Sequence, residues 1–148
     1  MDIEFRPITK DNLRPVTRLD VGPGQEKFVA PNSFSIAESK FYPDWEPRAI
    51  YIDDELIGFI MCGQDPDGDP RQWWIIRFMI DAAFQGKGFG RAALMETLGW
   101  LTAKSDCDVV ELSFAPANEV AKKLYLSAGF VDTGVIEEGE LVFRLDWE

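Results

Sequence analysis

No stretch of this chain constrains the fold as much as residues 72–104, where an apolar run, a turn with three glycines and an amphipathic segment follow one another. Gln72 to Asp81 is apolar enough for a strand covered on both faces. From Gly88 to about Lys104, Leu94, Leu98 and Leu101 recur at spacings of four and three, which predicts a helix packed on a sheet. Ala82-Ala83-Phe84-Gln85-Gly86-Lys87-Gly88-Phe89-Gly90-Arg91 joins the two. Glycines placed here let several backbone N–H groups converge at a helix N-terminus, where the aligned peptide dipoles add partial positive charge. The segment reads as an anion cradle suited to a pyrophosphate, although a glycine-rich turn with no ligand stays open on these letters alone.

Two familiar phosphate motifs do not fit. A dinucleotide fingerprint G-x-G-x-x-G would need glycine where Arg91 stands, and a Walker A loop needs Ser or Thr after Gly86-Lys87, where Gly88 stands. Asp65-Pro66-Asp67-Gly68-Asp69-Pro70 superficially resembles a calcium loop. Its sixth and twelfth positions are Pro70 and Ile76 instead of glycine and glutamate, so a solvated turn is expected and no metal site.

The chain has 148 residues and no histidine. Ser-His-Asp triads, Cys-His dyads and imidazole metal ligands are thereby excluded, and acid/base chemistry falls to carboxylates, tyrosine, lysine or water. Length and a 46% hydrophobic content suit one domain with a real core. With 15 Lys and Arg against 26 Asp and Glu, the formal charge of −11 would repel a phosphate backbone, so nucleic acid is not an expected partner. The same charge also serves solubility. Cys62 and Cys107 show neither metal-ligand spacing nor a disulfide framework, which fits a reduced, cytoplasmic setting. Met1 to Arg6 lacks the basic and apolar regions of a signal peptide and no run is long enough to span a membrane, so a soluble, unsecreted protein is expected.

Elsewhere the pattern predicts β-α-α-β-β-β-α-β-α-β-β. Ile3 and Phe5 alternate as a strand before Pro7, Asp11 to Val21 reads as a helix with Pro15 in its first turn, and Asn32 or Ser33 caps a helix running toward Phe41. Arg48 to Asp53 and Glu55 to Gln64 form a hairpin around Asp53-Asp54. Val109 to Phe114 is a strand, Asn118 opens a helix closed by Gly129, and Val131 to Ile136 with Leu141 to Leu145 forms a last hairpin around Glu137-Glu138-Gly139-Glu140.

Gln85, Gly88 and Gly90 meet the pattern Q/R-x-x-G-x-G/A, and the segment resembles the acetyl-CoA motif of the GNAT acyltransferases. The resemblance extends along essentially the whole chain: the motif follows the strand at Arg77-Phe78-Met79-Ile80-Asp81, and Asn118…Leu124-Tyr125…Gly129-Phe130 matches the family's last helix. Ile57-Gly58-Phe59, with the run from Arg77 to Gly88, most resembles bacterial spermine/spermidine acetyltransferases of the diamine type. The resemblance implies one GNAT domain over residues 1–148. Its α/β fold would be a mixed, mostly antiparallel twisted sheet, splayed at the centre, with helices on both faces.

The same resemblance implies acetyl-CoA as co-substrate, its pantetheine arm pairing with the backbone around Phe78, Met79 and Ile80. Its pyrophosphate would sit on Gln85, Gly86, Lys87, Gly88, Phe89, Gly90 and Arg91; Lys87 and Arg91 are either charge-assisted contacts or simply solvated. Asn118 reads as an N-cap, and by resemblance also as a cofactor amide contact. Tyr125, by itself a half-buried core tyrosine, becomes the expected catalytic acid for the departing thiolate, since a phenol with pKa of about 10 is protonated at neutral pH. No side-chain base is evident in Trp73-Trp74-Ile75-Ile76-Arg77, so a water chain to an acidic surface group is expected to accept the amine's proton, with a strand N–H donating to the developing oxyanion.

An acceptor pocket is expected from the early helices and loops. Glu26, Glu38, Asp44 and Glu46 are its candidate carboxylates, each equally readable as a solvated side chain, and Phe28, Phe41, Trp45 and Trp74 its aromatic walls. A polyamine such as spermidine or spermine suits that lining. Acetylation of a protein N-terminus or lysine, and a non-catalytic acyl-CoA-binding sensor, remain alternatives. Homodimers are common in the family.

Overall fold

A computed structural model describes residues 2–146. Its elements are β1 (Ile3–Pro7), α1 (Leu13–Thr17), α2 (Asn32–Ser39), β2 (Glu46–Ile52), β3 (Glu55–Gly63), β4 (Gln72–Ile80), α3 (Phe89–Thr102), β5 (Val109–Phe114), α4 (Glu119–Ser127), β6 (Val131–Glu137) and β7 (Glu140–Asp146). The order agrees with the alternation of periods along the chain. The strands form one open sheet in the order β1-β2-β3-β4-β5-β7-β6, antiparallel throughout except at β4–β5.

That one parallel pair opens the sheet. β4 and β5 are bonded only over Gln72–Trp74 and Val109–Glu111, and beyond Trp74 they diverge. A bulge sharpens the divergence. Met61 faces Arg77 and Cys62 faces Ile75, which leaves Ile76 as the extra residue on β4. A bulge of this kind bends its strand and turns two consecutive side chains toward one face, here Ile76 and Arg77.

Helices cover both faces. On one side Leu94, Leu98 and Leu101 of α3 pack with Ile75, Ile80, Leu112, Phe130 and Phe143; each fully buried leucine contributes roughly 1.5–3 kcal/mol. On the other, Val16 of α1 joins Ala49, Phe59, Met61 and Met79. Cys62 and Cys107 are free thiols within the first cluster, and burial pushes their pKa values up to about 12 and about 11. Both are thus chemically quiet.

Two expected helices are revised. α1 keeps five residues of the predicted Asp11–Val21, because Asp20 is drawn off to the end of β4. Its N–H donates to Asp81 Oδ1 (2.8 Å) and its carbonyl accepts from Ala82 N–H (2.7 Å). Pro31, and neither Asn32 nor Ser33, holds the N-cap position of α2. Asn32 is buried instead and donates to the Val16 carbonyl at 3.0 Å, tying α2 to α1.

Candidate active site

The divergence of β4 and β5 leaves a cavity of about 440 Å³ that passes through the sheet. Phe78, Leu112, Phe114 and Tyr125 wall it on the α3–α4 side, and Lys27, Phe28 and Val29 on the α1–α2 side. Tyr125 is 8% exposed and lies between Phe114 and Phe130, with ring centroids 5.5 and 5.8 Å away. Burial raises its pKa above the ordinary phenol value, and the Glu140 carboxylate adds to the rise, so the proton is firmly held. Asn118 caps α4, its Oδ1 accepting from Ala121 N–H at 3.2 Å, and also lines the cavity. Its two sequence readings are compatible.

At the end of β4 the glycine turn meets α3. Gly86 and Gly88 have φ of 77° and 84°, left-handed values that glycine adopts without a Cβ penalty. The first intrahelical bond is donated by Ala92 to Gly88 O, so the N–H groups of Phe89, Gly90 and Arg91 precede the helical ladder. Lys87 and Arg91 are exposed beside them, and the Lys87 ammonium lies 5.9 Å from the Phe84 ring centroid. Gln85 faces inward: its Nε2 donates to the Val21 and Ile80 carbonyls at 2.9 and 2.8 Å. Its side chain shapes the turn by locking it to the loop after α1.

A second cavity, about 590 Å³, adjoins the first; Ile75, Ile76, Arg77, Ser113, Glu138 and Glu140 wall both. Its outer part is acidic and aromatic, with Asp65, Asp67 and Glu137 facing Tyr42, Trp45 and Trp74. Tyr42 and Trp45 stack at 4.0 Å, and the Trp45 indole N–H donates to Gln64 O at 2.9 Å. The indole lies so close over β3 that a Cβ at Gly63 would come within 2.3 Å of it. Glu140 accepts from Ser113 Oγ at 2.8 Å, which fixes its carboxylate at the junction of the two cavities.

Residues 22–130 match the acetyltransferase (GNAT) family. The chain belongs to that family. Spermine/spermidine N(1)-acetyltransferase of Bacillus subtilis (strain 168) is 29% identical over 96% of this chain and 97% of its own. Among solved structures, PaiA N-acetyltransferase of Thermoplasma acidophilum in complex with coenzyme A superimposes with a TM-score of 0.73 at 17% identity, covering 99% of this chain and 100% of that one. Aminoglycoside acetyltransferase AAC(6')-Ib in complex with coenzyme A gives 0.79 at 17% identity, covering 98% and 95%. As a GNAT member the protein is an acetyl-CoA-dependent N-acetyltransferase, and the open N–H groups before α3 beside a through-sheet cleft fit that co-substrate. Among the described residues there is no group of three or more metal-ligating side chains, and no helix long and apolar enough to cross a membrane.

The lining of the two cavities differs from the one expected for an acceptor pocket. Glu26, Glu38, Asp44 and Glu46 line neither cavity: Glu38 pairs with Arg77 (3.3 Å), Glu46 with Arg48 (2.7 Å), and Glu26 and Asp44 are exposed. Of the four aromatic candidates, Phe28 lines the inner cavity, Trp45 and Trp74 the outer, and Phe41 is 77% exposed. The carboxylates come instead from two turns, Asp65 and Asp67 after β3 and Glu137 to Glu140 between β6 and β7. Their acidity was visible in the sequence. Their meeting was not, because it requires β7 to insert between β5 and β6 and so carry that hairpin to the splay.

Proposed function

We propose that this GNAT enzyme moves an acetyl group from acetyl-CoA to a primary amine of a polyamine, spermidine or spermine first, with Tyr125 as the general acid. The observation that carries the proposal is the acidic, aromatic groove sharing a wall with the Tyr125 cavity. Carboxylates pair with ammonium groups, and each aromatic face adds roughly 0.5–2 kcal/mol of cation-π attraction. The name of the Bacillus subtilis relative, similar along nearly the whole chain, supports the same acceptor class.

In this reading Phe78, Met79 and Ile80 offer strand backbone to the pantetheine arm; Gly86 through Arg91 offer N–H groups and two cations to the pyrophosphate; Asn118 offers its remaining amide N–H. Acetyl-CoA supplies an activated thioester. Tyr125 holds its proton through the neutral range and donates it to the sulfur as the C–S bond breaks. The reading includes a cytoplasmic setting, which the buried free thiols suit, and a homodimer.

The test is release of the CoA thiol with spermidine, spermine, short diamines, an aminoglycoside and a basic peptide as acceptors. Turnover confined to the polyamines and diamines is the expected result. Turnover of peptide alone would replace this acceptor with a protein, and cofactor binding without thiol release under any acceptor would leave a sensor.

A further inference from the structure

We propose that Arg77 sets the protonation state of the reacting amine: at the junction of cleft and groove its guanidinium disfavours an ammonium group. A larger share of the acceptor is thereby present as free amine at its inner end while its other amines stay charged further out. This inference rests on the amine acetylation proposed above.

The bulge at Ile76 turns Arg77 toward the α2 face, where it walls both cavities. Its charge is only loosely matched. Nη2 lies 3.3 Å from Glu38 Oε1, Nη1 donates to the carbonyl of Ile76 at 2.9 Å, and the buried Nε has no partner. Both members of the pair keep a quarter of their side-chain surface exposed.

The charges around it are graded. From the turn before α2, Lys27 lines the inner cavity; from the β6–β7 turn, Glu138 and Glu140 line both, the latter held by Ser113. Asp65 and Asp67 of the β3–β4 loop, with Glu137, line the outer cavity alone. Tyr125 on α4 and Tyr42 after α2 are the facing phenols. The inner walls therefore hold two cations against two acids, and the outer walls one cation against five acids. An acceptor with two or more amines satisfies this gradient, its distal ammonium paired outside and its reacting end beside Arg77.

A nearby like charge lowers an amine's pKa, and each unit of lowering gives tenfold more free amine at neutral pH. This raises the share of nucleophilic amine without a side-chain base on β4. One proton leaves the ammonium for solvent through the open groove. The nitrogen lone pair then forms the N–C bond, the C–S bond breaks, and Tyr125 gives its proton to sulfur and recovers one from nitrogen.

The test is the pH dependence of single-turnover thiol release at saturating spermidine. Arg77→Gln is expected to move the ascending limb up by about one pH unit, costing about tenfold at neutral pH with recovery in alkali. Arg77→Lys keeps the wild-type limb. Glu38→Gln, which frees the guanidinium, moves the limb down, and it carries the test if Arg77→Gln does not fold. A rate loss equal at every pH, or an unmoved limb in Glu38→Gln, overturns the inference while leaving acetylation intact. Preference for a carboxylate-bearing amine, abolished in Arg77→Gln, would make Arg77 an anchor for that carboxylate and also overturn it. No release from the wild type with any amine would overturn the acetylation reading itself.

Discussion

The glycine turn and the acidic groove flank the same splayed strand, yet they are built in opposite ways. Residues 85–91 form their site from consecutive backbone groups, held by two left-handed glycines and by Gln85 on the carbonyls of Val21 and Ile80. The groove gathers side chains from the loop after β3, the segment after α2, the middle of β4 and the β6–β7 turn. A backbone site is sensitive to conformation and tolerant of most side chains; a side-chain site is the reverse. The two should respond to different perturbations, and Tyr125, between them, to neither alone.

The largest effect is expected at that boundary. Tyr125→Phe should lower kcat by about 10²–10⁴-fold while calorimetric binding of acetyl-CoA stays within about twofold, since only the proton donor is removed. A common loss of binding and turnover would show that the phenol supports the cavity and does not serve the reaction. In the groove, Asp65→Asn, Asp67→Asn and Glu137→Gln together should raise the KM for spermidine by about thirtyfold or less, remove most of its salt dependence and leave the KM for acetyl-CoA in place.

On the turn, Gly88→Val forces a β-branched residue into left-handed backbone. About a tenfold rise in the KM for acetyl-CoA is expected, with the spermidine KM unchanged. A matching rise in both would erase the contrast between the regions.

The smallest effect is expected outside both regions. Glu111 faces Trp74 where β4 and β5 still pair, outside both cavities, and burial raises its carboxyl pKa although Arg144 opposes the rise. A carboxyl raised on folding favours the native state when protonated, and that contribution fades as pH climbs from the unfolded pKa through the folded one. Glu111→Gln should therefore raise Tm slightly at neutral pH, by under about 1 kcal/mol of stability, with the gain gone near pH 4 and kcat unaltered.

Strands and long helices were legible because their signals are local. Val109–Phe114 reads directly as β5, Asn118 as the cap of α4, and the leucine spacing as α3. α1 was overread, since nothing in Arg18 to Val21 announces that Asp20 is bonded to Asp81 and Ala82, sixty residues on. The carboxylates that line the two cavities were not foreseen for the same reason. Glu38 and Glu46 each have an arginine partner that only the folded chain supplies.

By itself, the order of residues determined the element sequence, the glycine cradle and the chemistry available to a protein without histidine, because hydrophobic period, missing Cβ atoms and side-chain type act within a few residues. Only the tertiary structure decided where β4 and β5 part, which acids meet across the gap and that Arg77 stands at their inner edge. Those outcomes depend on strand insertion and on a one-residue bulge, which are settled by the pairing of segments far apart in the chain.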